Sequence, residues 1–551
     1  MNKNILLSRK CGFANFLDPL GGRPASAGLG ALRSHPMDSA RRLFLRHAGA
    51  LGAIAGSGAP LALNLLAAGN AAAQTATDYR ALVCVFLFGG NDAYNMVLPT
   101  DGSSWSAYST TRNQAPDSLA LMAAGVAGVG TAAAGSPARL GGVLPITPLN
   151  AQGRSFALHP LMGSLQTLFN SDRRLAIVPN IGPLILPTTK AQYGSATFPK
   201  PASLFSHNDQ QNTWQSLGPE GTTRGWGGRM GDMLAAQNTR AAFTAVSASG
   251  NAVWLAGQSV RQYQVSANGA IRMGADTNGN VYGSATVAAA LNRIAASSRG
   301  SHVFEADMAA VSANSISAES VLRTALRPAS DAAFGTPPVA GVAYSANNDE
   351  KLRYDNPLTG ARASNQLAQQ LQVVARMVDA GISGATGVRR QVFFVSMGGF
   401  DSHDLQNRNN ADLMARLSQA LQYFDTALGN LGARNNVTTF TASDFGRTFT
   451  SNGDGTDHGW GSHHFVLGGA VRGGDLYGRF PTLAVKNSSN NNFDGSPDQL
   501  GNGALLPGTS VDQLGATLGR WFGLSDTQVA DVFPNLANFN VGVRNLGFMN
   551  A

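Results

Sequence analysis

Cysteine is nearly absent from the 551-residue chain, which has two, Cys11 and Cys84. Cys11 falls in an N-terminal stretch that reads as a leader, so one cysteine remains in the body. That excludes an intramolecular disulfide and a zinc site built on thiolates. Cys84 lies in the apolar run ALVCVFLF and reads as a small core residue. Charge is scarce as well: Asp, Glu, Lys and Arg make up 13% of the chain, about half the usual share. The formal charge of +8 is misleading. Residues 1–73 hold eight Lys and Arg against two Asp, which leaves 32 basic and 30 acidic residues beyond them. A nearly neutral body gives no case for nucleic-acid binding. A long unbroken apolar run is also lacking. The best one is interrupted by glycines and Pro60, so no stable membrane span is expected once a leader is removed.

Glycine, at 65 residues, and apolar residues, at 43%, are abundant. Together they suit a secreted α/β protein with a sizeable core and long loops. The stretch SARRLFLRHAGALGAIAGSGAPLALNLLAAGNAAAQ resembles a twin-arginine export signal. Arg41-Arg42 precede Leu43, Phe44 and Leu45, and Ala71-Ala72-Ala73 before Gln74 form a small-residue cleavage pattern. Met37 stands just ahead of the arginines. Residues 1–36 are therefore expected to be a disordered upstream extension or a mis-assigned start, and 37–73 the signal peptide. Residues 74–551 are expected to form a single α/β domain with insertions near 101–150 and 240–350. The expected destination is the periplasm or the exterior.

Periodicity places the main elements. Residues 81–88 read as a strand buried on both faces, ending at the turn Gly89-Gly90-Asn91-Asp92. A helix over 160–170 leads to a strand over 175–179. Leu367, Leu371, Val374 and Val378 mark one face of a helix over 365–380, followed by a strand over 391–396. Leu413, Leu417, Leu421, Phe424, Leu428 and Leu431 mark a helix over 411–431, then a strand over 437–442. Residues 464–471 read as another strand and 511–523 as a helix. This alternation predicts a parallel sheet with right-handed crossovers.

Three of these strands run into loops that carry an aspartate: Asp92, Asp401 and Asp444. Side chains just beyond the carboxyl ends of such strands converge on one crevice. Gathered carboxylates repel unless a cation joins them. His403 follows Asp401 by two residues, Asp457 and His458 are adjacent, and His463 and His464 lie just beyond. Adjacent histidines alternate faces in a strand, so at most one of the last two is expected to point inward. Imidazole with carboxylate suits zinc, with manganese or iron as alternatives. Each residue also has a plainer reading as a cap, turn or surface residue. His159, before a proline, reads as structural. Ser206, beside His207, reads first as a helix N-cap, and a hydroxyl there can also serve as a nucleophile. Arg447 is a candidate clamp for an oxyanion.

The segments FLFGGNDAYNMVLP, SLFSHNDQQNTWQS, GWGGRMGD, GGFDSH, SDFGRT, GTDHGWGSHHFVLGGAVRGGDLYG and VFPNL, in that order, resemble the bacterial exported family called domain of unknown function 1501. The family has no established activity and is similar at the fold level to the alkaline phosphatase and sulfatase superfamily. The resemblance therefore implies a doubly wound, mainly parallel α/β sheet with helices on both faces and large loop insertions. It implies Asp92 as a first metal ligand, Ser206 as nucleophile, Asp401 with His403 as the next pair, then Asp444 and His458. Phe445 stands where the pattern has histidine, and Asp457-His458 can be the pair instead. A single metal, or a site kept only for binding, stays open.

Two functions follow as expectations. One is an exported metal-dependent hydrolase of phosphate or sulfate esters, acting on a small anionic ester or a glycan. Ser206, His207 and Arg447 would act with a divalent cation, zinc or else manganese, iron or calcium. The other is a non-catalytic envelope protein that binds an exported partner protein or a glycan. The leader reading is tested by N-terminal sequencing of exported protein: the first residue should be Gln74, and replacing Arg41-Arg42 by Lys-Lys should leave the chain in the cytoplasm. A mature chain that retains Arg41-Arg42 contradicts it.

Overall fold

The apolar run that begins the body becomes strand β1, Arg80–Leu87, with seven of its eight residues buried. Val83, Val85 and Leu87 enter one hydrophobic cluster, while Leu82, Cys84 and Phe86 enter another. A strand buried on both faces belongs in the middle of a sheet. The computed structural model describes residues 79–550 apart from 268, 271–275, 277–278 and 298–301, and it places β1 fifth in a nine-stranded sheet. The expected extension over 1–36 and the signal peptide over 37–73 lie outside the described residues.

The other strands of this sheet are β2 Leu175–Gly182, β3 Ala245–Ser247, β4 Gln262–Ser266, β5 Gly269–Ala270, β6 Arg390–Met397, β7 Val437–Ser443, β8 Ser462–Leu467 and β9 Thr509–Ser510. Their spatial order is β9-β2-β8-β7-β1-β6-β3-β4-β5. All neighbours are parallel except β8, which opposes β7 and β2, and β5, which opposes β4. The mainly parallel α/β class is therefore as the sequence led one to expect. The reversal of β8 has a simple cause. No helix lies between Ser443 and Ser462, and neighbouring strands joined without a crossover run antiparallel.

Helices cover both faces. The ones used below are α1 Gly102–Arg112, α2 Gly163–Asn170, α3 His207–Ser216, α4 Trp226–Leu234, α5 Gln366–Ile382, α6 Gln406–Asn430 and α7 Val511–Phe522. Leu165 of α2, Leu371 of α5 and Leu417 of α6 pack in the cluster that takes Val83. Trp214 of α3, Trp226 of α4 and Leu514 of α7 pack in the cluster that takes Phe86. Helix α6 begins at Gln406, five residues ahead of the expected start at 411. Its first turn is polar, yet Gln406, Asn407 and Asn410 are buried there.

The two expected insertions are more ordered than their composition suggests. Over 101–150, sparse large residues such as Tyr108, Leu121 and Val143 are buried. There α1 is joined by Leu144–Ile146, which pairs with Phe156–Leu158 in a separate three-stranded sheet. Over 240–350, β3, β4 and β5 extend the main sheet at one edge. Among the described residues no helix is long and apolar enough to cross a membrane.

Burial holds three histidines neutral. His159, His463 and His464 are each pushed down from 6.5 to about 3 by desolvation. Unfolding restores ordinary imidazoles, so between about pH 6.5 and pH 3 the unfolded chain binds more protons than the folded one. Their contribution is complete above that window and is lost as pH falls through it. Asp512, raised to about 7 by burial, works in the opposite sense but is one group against three. The melting temperature is expected to fall between about pH 7 and pH 5. A flat or rising profile over that range contradicts this reading.

Candidate metal centre

Strands β7, β1 and β6 are neighbours and parallel, so their carboxyl ends open on one rim. The backbone then packs unusually close. Gly89 has φ of +115°, and a Cβ there would stand 2.3 Å from the Asp401 backbone nitrogen. Only glycine permits this, and it draws the loop after β6 against the end of β1. From the opposite side, residues 446–448 and 457–460 run back to back. Arg447 bridges His458 in antiparallel fashion, and Gly459 donates to the Gly446 carbonyl at 2.7 Å.

Four side chains meet at this rim. One ligand-type atom from each of His207, Asp401 and His458 lies within 4.8 Å of the others. His207 Nε2 is 3.4 Å from Asp401 Oδ2, and His458 Nε2 is 3.2 Å from Asp401 Oδ1. His403 Nε2 lies 3.1 Å from Asp401 Oδ1 and 3.0 Å from His458 Nε2. Ligands bound at about 2.0–2.1 Å in a tetrahedron stand roughly 3.3 Å apart, so these separations match the edges of such a shell.

The outer ring nitrogens explain why the inner ones face each other. His458 Nδ1 is 2.7 Å from the Phe205 carbonyl, which can only accept, so the proton sits on Nδ1. Its Nε2 lone pair is then aimed at a carboxylate oxygen, a repulsive contact unless a proton or cation lies between. Burial, the main cause, pulls His458 below the usual imidazole range, which favours the neutral, ligating form. His207 Nδ1 donates to Asp444 Oδ2 at 2.7 Å, and Gln211 donates to the same oxygen at 2.8 Å. Burial raises the Asp444 carboxyl above its usual range, and its bonds to Gln211 and His207 oppose that. His403 Nδ1 is 3.3 Å from Asp457 Oδ1. Imidazoles whose far nitrogen is fixed by an oxygen are the usual supports of a metal shell. The donor set therefore fits a divalent cation.

Local backbone strain supports the arrangement. Ser203 and Phe205 have φ of +46° and +74°, immediately before α3. Such conformations persist only where surroundings enforce them. Here they turn the Phe205 carbonyl toward His458 and start α3 at His207. Ser206 is the N-cap residue, as its sequence context predicts, but its hydroxyl makes no cap hydrogen bond.

Other sequence candidates are placed elsewhere. Asp92, expected as a ligand, is buried in its own ion pair. Arg112 reaches its two oxygens at 2.5 and 2.9 Å, and Gln406 donates at 2.5 Å. Asp444 supports His207 rather than facing the cluster through a free oxygen pair. Asp457 likewise sits behind His403. Arg447, expected as an oxyanion clamp, is fully buried. It donates to Asp401 Oδ1 at 2.7 Å and to the Gly89 carbonyl at 3.2 Å, so it orients Asp401. Burial tends to raise Asp401, but Arg447, His403 and His207 hold it below the usual carboxylate range. His463, expected as a ligand, faces β2 and accepts from the Asn180 backbone at 2.9 Å. His464 lies against Thr441 and Trp214, and His159 is buried. Sequence reading missed Arg112, Gln211 and Gln406. For Gln211, its position one helical turn after His207 was the available signal.

Phe445 is buried and packs on the rings of His458 and His207, with centroids 4.6 and 4.9 Å away. Gly90 makes room for it, since a Cβ there would be 2.5 Å from the ring. An apolar wall thus stands beside the cluster, and Arg112 occupies both oxygens of Asp92, the next carboxylate along the rim.

Fold and site together define an α/β protein with a candidate metal site at the carboxyl ends of its central strands. The chain belongs to the family described as protein of unknown function (DUF1501), whose profile matches residues 79–533. No curated protein matches the chain. Among solved structures it is similar to one titled for the metabolism of multiple glycosaminoglycans by Bacteroides thetaiotaomicron. That match has 10% identity over 83% of this chain and 74% of the other, with a TM-score of 0.29. A likeness so low carries no statement about this site.

The Asp92–Arg112 pair yields a stability prediction. Arg112→Leu leaves a buried charge without its partner and should cost about 3–5 kcal/mol in urea unfolding. Adding Asp92→Asn should recover much of that loss. A single variant as stable as the parent contradicts the pairing.

Proposed function

We propose that this protein is an exported, metal-dependent hydrolase of phosphate or sulfate esters working with one divalent cation, zinc by donor type. The observation that carries the reading is the inward convergence of the His207, His403 and His458 Nε2 atoms on Asp401, with the outer nitrogens held by Asp444, Asp457 and the Phe205 carbonyl.

A cation held there supplies Lewis acidity to the ester oxygen. His207, Asp401 and His458 are the holders, because each is anchored from behind, by the buried Asp444, the buried Arg447 and the Phe205 main-chain carbonyl. His403 is 42% exposed and is held only by Asp457, itself half exposed, so it is the exchangeable donor. Its imidazole can yield its place to substrate and carry a proton at Nε2 between the ester and solvent. The N-terminus of α3 offers backbone N–H groups and a positive dipole end to the anionic ester. Ser206, at that terminus with a hydroxyl that makes no cap hydrogen bond, is the nucleophile this reading assigns. Arg447 keeps the Asp401 carboxylate ionised and oriented. The packing of Phe445 on the cluster favours a second reading, a one-cation centre kept for binding alone.

Elemental analysis of protein prepared without chelators should find about one zinc per chain. His207→Ala and His458→Ala should lose it. The loaded protein should hydrolyse 4-nitrophenyl phosphate or sulfate, and chelation should abolish this. His403→Ala should keep the metal and lose about 10²–10⁴-fold in rate. A loaded protein silent across a panel of both ester types would mean the binding-only reading; no bound metal at all would sink both.

A further inference from the structure

A groove of about 1250 Å³ opens beside the cluster. It exceeds the roughly 300–1,000 Å³ of pockets that hold a single small molecule. One wall is α3 itself. Asn208, Gln211, Asn212 and Gln215 line it, at the spacing of one helix face. The groove also takes in Asn251 and, from β4, Gln262 and Gln264, alternate residues that share a face of that strand. Half-buried Phe88, at the end of β1, adds an aromatic surface.

Several of these amides are held at one end by the protein. Gln211 Nε2 is committed to Asp444, and Gln215 Oε1 accepts from the Trp254 backbone at 3.1 Å. Asn251 Oδ1 accepts from both Gln262 and Gln264. The carbonyl of Gln211 and the NH₂ groups of Gln215 and Asn251 are then the ends a ligand can use. Such fixed, neutral donors and acceptors suit hydroxyl groups, which both donate and accept.

The charged residues at the groove are Glu220, Arg224 and Arg261, too few and too mixed for a nucleic-acid backbone. Strand β4 pairs with β3 through Gln262, Tyr263 and Gln264, and β5 takes Val265 and Ser266 on its other side, so a peptide would find at most a three-residue edge there. Sugar rings fit what remains, with hydroxyls for the amides and a C–H face for Phe88.

We propose that this groove binds a neutral or N-acetylated oligosaccharide and presents a phosphate or sulfate ester on it to the cation centre. The role as substrate groove rests on the hydrolase reading; the binding itself does not. The geometry supplies the link. Gln211 lies one turn beyond His207 on α3, and both hold the same oxygen of Asp444, so groove and centre share a wall.

The test uses the full mature chain loaded with zinc and three unesterified probes: cellohexaose, maltohexaose and chitohexaose. Calorimetry or saturation-transfer NMR should detect binding of at least one. Asn208→Trp, which places a bulky ring in the groove from an exposed position, should weaken it at least tenfold with the melting temperature unchanged. His458→Ala, which removes the cation, should bind within about twofold of the parent. No binding of any hexaose, equal binding by the Asn208→Trp chain, or preference for a hexapeptide pool overturns the proposal. A chain that binds hexaose but cleaves no ester removes the hydrolase reading and leaves the groove. One that cleaves 4-nitrophenyl esters but binds no hexaose removes the groove alone.

Discussion

A carboxylate set among imidazole nitrogens 3.1–3.4 Å away is the constraint around which this rim is organised. Left to themselves these atoms would turn apart. What keeps them facing inward is a set of contacts behind each one: a buried carboxylate behind His207, a main-chain carbonyl behind His458, a guanidinium behind Asp401. None of those contacts is local in sequence. The Phe205 carbonyl reaches His458 across 253 positions, and Asp444 reaches His207 across 237. The sheet is therefore the instrument that brings the donors together, and the orientation of each donor is a property of the whole domain.

The aspartates that follow the three central strands divide their work by burial. Asp92, nearly inaccessible, is neutralised by an equally buried arginine and becomes a fixed part of the wall. Asp444 is buried but has no arginine against it, and hydrogen bonds from an imidazole and an amide hold it in place. Asp401, at 41% exposure, alone keeps oxygen atoms toward the rim while Arg447 offsets its charge from beneath. Three carboxylates at one sheet edge need not make three ligands. Which of them faces the centre depends on where the compensating cations of the protein sit.

That division marks the limit of what could be read from the chain. The αβαβ order over 366–443, the central place of β1 and the gathering of His403, His458 and Asp401 follow from periodicity and from the rule about strand ends. They depend on near-neighbour chemistry, which sequence displays. The role of Asp92 depends on Arg112, which arrives from a helix in a stretch that looked like loose surface. The role of Arg447 depends on being buried, and composition does not show burial. His463 and His464 were separable only in part: alternation says they face opposite ways, but both ways lead into the interior of a sheet covered on both sides. The reversal of β8 was not anticipated, because the sequence marks 464–471 as a strand without showing that no helix precedes it.

Helix α3 joins the two halves of the functional argument. Its first residue, His207, is one of the candidate ligands. The following turn supplies Gln211, which steadies the carboxylate behind that donor and lines the groove. Its far side carries Trp214 into the core against His464. With Trp214 seated in the core, the helix carries its groove-facing residues and His207 on one frame. The groove wall and the His207 corner of the cluster are therefore built on a single helix. The strained residues Ser203 and Phe205, which fix where that helix starts, set the register of both.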